Sequence, residues 1–317
     1  MKADLHAHTR ASDGTDSPAA LVAAAVAAGL DLLALTDHDT FRAIAETGAL
    51  AEAAGLALLP GAELTCVTAG GVKLHLLAYA PSPDDVVLGE QMARVRDDRV
   101  PRARRIIWRL HEEGGLAVTD EQVWAIAGGA ASVGRPHIAQ AVVDAGGASS
   151  IQDAFDRLLG DGRPFYEPHH AMPVLQAIGW VREAGGAPVF AHSLARTRGP
   201  VVSERDFEQM VEAGLAGVEV DHVDHDEADR AWLRSFAAAH DLLQTGSSDY
   251  HGARKQGLLL GAHTTAEDQV ERLLAEVGLT LRTLPAAARR GPRGAGRPRL
   301  VRPRADAQQV AVAAGSG

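Results

Sequence analysis

Short apolar runs alternate with alanine-rich stretches of helical length through the first 80 residues. Ala3-Asp4-Leu5, Leu30 to Thr36, Ala57-Leu58-Leu59 and Leu74 to Tyr79 have the length of strands, while Pro18 to Ala28 and Ala43 to Ala54 have the length of helices. Strands alternating with such helices predict parallel β-α-β units. Asp16 or Ser17 can cap the first helix with Pro18 behind it, and Gly29 can end it. From Pro81 to about Pro168 the pattern changes to charged helices, one of them spanning Met92 to Gly114, and no stretch reads as a buried strand. Strand-then-helix alternation returns at Pro188-Val189-Phe190-Ala191, Gly217-Val218-Glu219-Val220 and Leu242 to Gly246, with a last helix from about Ala266 to Val277. The expected organisation is an α/β core from residues 1–80 and 169–284, interrupted by a helical insertion at 81–168. Beyond Pro285, Arg, Gly and Pro recur without hydrophobic period. Such a tail, 285–317, cannot offset its own ordering entropy and is expected to be disordered.

The chain has 317 residues, 46% of them hydrophobic, enough for one large domain with an insertion or for two domains. Its net charge of −10 is unevenly spread: residues 281–317 hold eight arginines against Asp306, a tail of +7, so residues 1–280 carry −17. An acidic body repels a polyanion unless metal ions or a local arginine patch invert the field, so stable duplex nucleic-acid binding is not expected. The tail reads as a solubilising extension before a nucleic-acid-binding arm. Cys66 is the only cysteine, which excludes an intrachain disulfide and suggests a reducing compartment. No basic-plus-apolar leader precedes the first strand, and no apolar run approaches the roughly 20 residues of a membrane span. A cytoplasmic protein without a membrane partner is expected. No glycine-rich loop ends in Gly-Lys-Ser/Thr, and Gly128-Gly129 and Gly185-Gly186 read as turn glycines. Asp120-Glu121 reads as a solvated helix start, His169-His170 as a linker pair, and His111, His240 and His263 as surface residues.

The chemistry concentrates in His6, His8, Asp13, His38, Glu63, His75, His192, Asp249 and His251. His6 and His8 lie two apart at the end of the first strand, so strand alternation sends both to one face. His38, Glu63, His192, and the pair Asp249 and His251 each follow a predicted strand, the edge where parallel α/β folds build their sites. A lone histidine is more often a satisfied core or surface residue, but coincidence does not explain several strands each ending in a ligand. Mixed imidazole and carboxylate donors suit Zn, Mn or Fe, and the lack of thiolates argues against a structural zinc site. Nine donors exceed the needs of one ion, so two or three ions are expected, with Glu63 available as a bridge.

These residues fall in segments that resemble the PHP (polymerase and histidinol phosphatase) phosphoesterase family. The segments are Asp4-Leu5-His6-Ala7-His8-Thr9 with Ser12-Asp13-Gly14, Leu35-Thr36-Asp37-His38-Asp39, Pro60-Gly61-Ala62-Glu63-Leu64, His75-Leu76-Leu77-Ala78-Tyr79, Ala191-His192 and Ser247-Ser248-Asp249-Tyr250-His251-Gly252. The resemblance spans most of residues 1–260. It implies a distorted seven-stranded (β/α) barrel with a trinuclear centre, manganese being favoured over iron or zinc. It further implies one metal on His6, His8, Glu63 and Asp249, a second on Glu63, His75 and His192, and a third on Asp13, His38 and His251.

Two more segments resemble a narrower branch of nucleotide phosphatases, acting on 3′,5′-bisphosphates and AMP, and of short-RNA 5′→3′ exonucleases. Ser132-Val133-Gly134-Arg135-Pro136-His137-Ile138-Ala139 implies that Arg135 grips a phosphate with its planar fork of donors, with His137 as a further substrate contact. Gly217-Val218-Glu219-Val220-Asp221-His222-Val223-Asp224-His225 implies that His222 contacts the phosphate or leaving group. Asp221 stands where the branch has an aromatic residue, which leaves base or ribose stacking there without support. The function implied is metal-dependent hydrolysis of a small phosphomonoester, first the 3′-phosphate of a nucleoside 3′,5′-bisphosphate, by attack of a metal-activated hydroxide. Competing expectations are 5′→3′ hydrolysis of short 5′-phosphorylated RNA, an AMP or histidinol phosphatase, and a non-catalytic metal-binding regulatory module.

Overall fold

The computed structural model of the chain describes residues 1–128, 133–168, 170–254, 259–281 and 284. Ser132, Gly129, His169 and the 285–317 tail therefore lie outside the described residues. The first strand, β1 (Ala3–Asp4), pairs parallel with β2 (Leu32–Leu35) across the helix α1 (Pro18–Ala27). Ser17 caps α1 by accepting from the Ala20 N–H at 3.1 Å, and Gly29 turns the chain away with φ +71°. After α2 (Ile44–Ala54), β3 (Ala57–Val67) pairs parallel with β2 from Ala57 to Pro60.

β3 departs from expectation. The apolar run Ala57-Leu58-Leu59 predicts a short strand with Glu63 past its end, yet the strand runs on through Pro60-Gly61 and Glu63 lies mid-strand. Pro60 sits at the last residue paired with β2, and from Gly61 onward β3 pairs antiparallel with β4 (Lys73–Tyr79) instead. Gly61 permits this change of partner, because a Cβ there would meet the Ala78 carbonyl oxygen at 2.8 Å. β4 is itself a departure from all-parallel units. A tight turn joins it to β3, with Thr68 N–H donating to the Val72 carbonyl at 2.9 Å and Gly71 at φ +82°, and so short a connection enforces antiparallel pairing. The reversal carries His75, near the start of β4, to the edge where the parallel strands end.

The chain then enters its helical segment: α3 (Val86–Glu112), α4 (Asp120–Ile126), α5 (Arg135–Asp144) and α6 (Ile151–Ala154). α3 starts earlier than predicted because its first apolar residues, Val86 and Val87, face solvent and obscure the period; Asp85 caps it by accepting from the Leu88 N–H at 2.8 Å. Asp120 opens α4 as expected, behind a Thr119 capping box. Leu88, Met92 and Val95 on α3 pack into the barrel's core, whereas Ile106, Ile107 and Leu110 further along it belong to a separate core with Val123, Ile138 and Val142. α3 is thus the beam that fixes the helical segment to the barrel.

The remaining units are β5 (Met172–Pro173), α7 (Val174–Glu183), β6 (Ala187–Phe190), α8 (Glu204–Glu212), β7 (Gly217–Asp221), α9 (Glu227–Ala239), β8 (Leu243–Gly246) and α10 (Glu267–Glu276). Seven strands follow the order β1-β2-β3-β4-β6-β7-β8, and β5, which the sequence did not announce, pairs only with the end of β3. Backbone hydrogen bonds from Tyr250 N to His6 O (3.2 Å), His8 N to Tyr250 O (2.9 Å) and Thr265 N to Ala3 O (3.0 Å) join the two ends of the sheet. The result is a nearly closed, distorted (β/α) barrel. Among the described residues no helix is long and apolar enough to cross a membrane.

The Gly61→Ala variant should lose about 1–3 kcal/mol of stability, the usual cost of forcing a methyl into backbone. Urea denaturation checks this, and an unchanged midpoint would show that the β3 crossover tolerates a side chain.

Candidate metal centre

Every one of the nine candidate ligands lies at one end of the barrel, and Glu63 is where they meet. Its Oε2 lies 3.1 Å from His6 Nε2, 3.1 Å from His8 Nε2 and 3.3 Å from His38 Nδ1. Its Oε1 lies 2.9 Å from both His75 Nδ1 and His192 Nε2. Asp249 Oδ1 closes the deep side, 3.4 Å from the Nε2 atoms of His6 and His8. Asp13 Oδ1 closes another, 3.3 Å from His251 Nε2, 3.7 Å from His8 Nδ1 and 3.8 Å from His38 Nε2.

Three groups of donor atoms are compact enough to hold an ion: His6, His8, Glu63 and Asp249; His8, Asp13, His38 and His251; and His38, Glu63 and His75. The first is the expected set. The second adds His8 to the expected one, and in the third His38 stands with Glu63 and His75, while His192 Nε2 lies beside them, 2.9 Å from Glu63 Oε1 and 3.4 Å from His75 Nδ1. These donors fit divalent cations. The buried atoms His6 Nε2, both ring nitrogens of His8, Asp13 Oδ1 and His38 Nδ1 make no hydrogen bond although polar atoms surround them, a costly arrangement unless a common partner lies between. Ligand bonds of about 2.0–2.2 Å also imply donor-to-donor edges of about 3 Å, close to the spacings around Glu63.

Tautomers are set from behind. His251 Nδ1 donates to the Asp249 carbonyl at 2.8 Å and His6 Nδ1 to Glu219 Oε1 at 3.3 Å, leaving each Nε2 lone pair facing the centre. Glu219 also accepts from the His192 N–H at 2.6 Å and from the Ser247 hydroxyl. That grip holds His192 at φ 31°, and Asp39 and Asp249 likewise adopt left-handed backbone, at φ 51° and 49°. Asp37 ties down the loop bearing Asp13 by accepting from Thr9 N (2.8 Å), Thr9 Oγ1 (2.7 Å) and Ser12 Oγ (2.6 Å). Asp4 does the same for the segment before Asp249, through Ser248 N at 3.0 Å and Ser248 Oγ at 2.6 Å.

Burial and mutual charge pull the ionisations apart. Burial opposes a charged His8, but Asp249 and Glu63 outweigh it and push it up to about 9. Burial dominates at His38, drawing it down to about 4 despite Glu63 and Asp13. Burial alone would raise Glu63 and Asp13, yet the imidazoles hold both well below the carboxylate range.

The expected substrate residues sit in two places. His222 is fully buried in the wall of the centre; its Nδ1 accepts from the Asp224 N–H at 3.0 Å, so a neutral ring carries its proton on Nε2, 3.5 Å from Asp249 Oδ2. Asp221, beside it, accepts from Arg234 at 2.6 Å. Arg135 and His137 instead line a cavity of about 190 Å³ that Asp13, His38 and His75 also line. Arg135 donates to Leu159 O at 3.1 Å and to Asp161 Oδ1 at 2.9 Å, and His137 Nδ1 accepts from the Gly134 N–H at 3.0 Å.

Among the residues that sequence reasoning missed, Glu219 and Arg198 grip ligands directly. Glu219 had a signal, a lone carboxylate between Val218 and Val220 in a buried strand. Arg198 had none: it arrives from the loop after β6 and spans Asp249 Oδ2 and Asp224 Oδ2, each at 2.7 Å. His111 and His240 are exposed as expected, but His263 is half-buried and feels Arg230.

The PHP domain family profile matches residues 4–160. A Chromobacterium violaceum protein named 3′,5′-nucleoside bisphosphate phosphatase is 31% identical over 261 residues, covering 82% of this chain and 90% of that one. The Escherichia coli 5′-3′ exoribonuclease Rnm is 33% identical over 250 residues, covering 78% and 84%. A solved Bifidobacterium adolescentis structure, proposed to be a metal-dependent phosphoesterase, aligns with a TM-score of 0.80 at 35% identity, over 86% of this chain and 96% of that one. A Chromobacterium violaceum structure described as an amidohydrolase with bound sulfate and no metal aligns at 0.77 and 29% identity, over 87% and 97%.

Metal uptake must displace protons from His8, pushed up to about 9, and from His6, held well above the ordinary imidazole range, so apparent affinity should fall by at least about tenfold per pH unit as the pH drops below about 9. Glu219→Gln, which loosens His6 and His192 without removing a ligand, should weaken uptake by about 10–100-fold. Competition with a chelator measures both; a pH-independent affinity, or wild-type uptake by Glu219→Gln, would contradict the arrangement.

Proposed function

The chain belongs to the PHP domain family and is a metal-dependent phosphoesterase, and from that premise we propose that it removes the 3′-phosphate of a nucleoside 3′,5′-bisphosphate to give a 5′-mononucleotide and phosphate. The observation that carries this reading is the single cavity joining the ligand cluster at Asp13, His38 and His75 to Arg135 and His137 on α5. The relative named for that reaction supports the substrate class. Two or three divalent ions are proposed, manganese first, held by His6, His8, Asp13, His38, Glu63, His75, His192, Asp249 and His251.

Bound there, the ions would supply Lewis-acid stabilisation of the phosphoryl oxygens and lower the pKa of an attacking water. The protein's part is positioning. Glu63 and Asp249 hold the histidines in register, and Arg198 fixes the outer oxygen of Asp249. Arg135 offers a planar fork of donors to a phosphate, with its guanidinium steadied 5.4 Å from the Tyr166 ring centre. His222, carrying its proton on Nε2 at the wall of the centre, can donate a hydrogen bond to the phosphate or leaving oxygen. The α3–α6 segment is proposed to act as a substrate-contacting insertion on the 1–80 and 169–284 barrel. Cys66, single and buried, suits a reducing interior, and the enzyme is proposed to be cytoplasmic.

A second reading, stepwise release of 5′-mononucleotides from short 5′-phosphorylated RNA, is favoured by the similarity to the exoribonuclease Rnm. Product chromatography separates the two. Manganese-loaded protein should convert adenosine 3′,5′-bisphosphate to AMP and phosphate, lose this on chelation, and leave the RNA intact. Successive mononucleotides from the RNA with an untouched bisphosphate would contradict the proposal. Arg135→Ala should act mainly on KM, raising it about tenfold or more.

A further inference from the structure

His222 stands in the wall of the centre with an unspent donor. Its Nδ1 accepts from the Asp224 N–H at 3.0 Å, which leaves the proton of a neutral ring on Nε2, and that buried nitrogen has no hydrogen-bond partner. Folded proteins rarely leave a buried donor unanswered, so its isolation has a structural cause. The oxygen beside it, Asp249 Oδ2, lies 3.5 Å away and belongs to a carboxylate whose negative charge would ordinarily draw the N–H in.

Arg198 prevents that contact. Its Nη2 reaches Asp249 Oδ2 at 2.7 Å and its Nε reaches Asp224 Oδ2 at 2.7 Å, a span across two carboxylates that suits the rigid guanidinium fork. The other oxygen of Asp249 faces His6 and His8 at 3.4 Å, so the carboxylate is gripped from both sides and cannot turn toward His222. The loop that delivers Arg198 is tied twice more to the segment after β7. Leu194 N–H donates to His225 Nε2 at 3.1 Å, and Arg196 donates to Asp229 Oδ1 at 2.9 Å. His222 is pinned on its own side by Arg230, which donates to its carbonyl at 2.9 Å. Ring and carboxylate are held apart from behind.

We propose that Arg198 is a positioning residue that withholds Asp249 from His222 and so keeps the Nε2–H free to donate to the leaving oxygen of the ester. On the reading of His222 given above, Arg198 therefore does more than steady a ligand: without it, the imidazole N–H is spent on Asp249 before substrate arrives. A hydrogen bond to the charge that builds on the leaving oxygen counts most when that oxygen is a poor leaving group.

Steady-state kinetics of the metal-loaded full chain compare adenosine 3′,5′-bisphosphate, whose leaving group is an alkoxide, with para-nitrophenyl phosphate, whose leaving group needs little help. In Arg198→Met, which removes both donors at similar length, kcat on the bisphosphate falls about tenfold or more beyond any loss on the aryl ester, and KM moves less. Arg198→Lys, with one donor group for two carboxylates, recovers part of the difference. In a His222→Gln background Arg198→Met adds no further selective loss, because both changes act on one N–H. Asp224→Ala loosens Arg198 while leaving the backbone N–H to His222 in place, shifts the ratio the same way, and guards against a folding defect in the first variant. Equal losses on both esters, or selective losses that add in the double variant, overturn the proposal. If His222→Gln shows no leaving-group selectivity, or the wild type turns over neither ester, the reading of His222 fails and the crystal structure of Arg198→Met decides alone. His222 Nε2 drawn within hydrogen-bond distance of Asp249 Oδ2 supports the withholding role, and an unchanged gap of 3.5 Å overturns it.

Discussion

The structure turns on one buried carboxylate. Glu63 faces five imidazoles, those of His6, His8, His38, His75 and His192, at 2.9–3.3 Å, and without them its negative charge could not remain away from water. The constraint runs outward through the fold. β3 must continue past Gly61 to present Glu63, β4 must reverse to present His75, and the ends of the sheet must meet so that His6 and His8 stand beside Asp249. The barrel is a device for bringing distant histidines to a common oxygen.

Holding that arrangement has a conformational cost. His192, Asp39 and Asp249 all adopt left-handed backbone at the site, and each is over-determined by its surroundings: Glu219 on the His192 N–H, Thr65 and Arg99 on Asp39, Arg198 on Asp249. Strain of this kind stays fixed only where hydrogen bonds outnumber the freedoms they remove. The acids that never approach the centre, Asp4, Asp37 and Glu219, are therefore as much part of it as the ligands, because they fix loops and tautomers before any ion arrives.

Much of this was legible in the residues themselves. His6 and His8 reported strand alternation, and His38, His192 and Asp249 followed apolar runs short enough to be only strands. Glu63 was recognised as a ligand but misplaced, because Pro60-Gly61 carries the local signal of a turn and only the close approach of Ala78 shows why glycine is needed in a continuous strand. His75 belonged to a run that read as one more parallel strand, and its direction was set by a short turn rather than by its own pattern. Arg198, Arg99 and Arg102 were invisible for a different reason. Arginines on loops and charged helices look alike in a sequence, and only the packing of α3 against the barrel distinguishes a solvated one from one that lines the cavity.

Two structures within one chain thus meet at a cavity: a barrel end lined with histidine and carboxylate, and a helical segment that brings arginine to it. The helical segment has its own core, packs on the barrel through α3 and meets Lys73 of β4 through Asp161, and it brings Arg99, Arg102 and Arg135 to the cavity that Asp13, His38 and His75 also line. The measurement that bears most directly on this account is anomalous diffraction from crystals grown with manganese. It should show at least two ions, one within ligand distance of His6, His8, Glu63 and Asp249 and another beside Asp13, His38 and His251. Ions bound elsewhere, or an empty cluster with Glu63 still buried among its histidines, would contradict it.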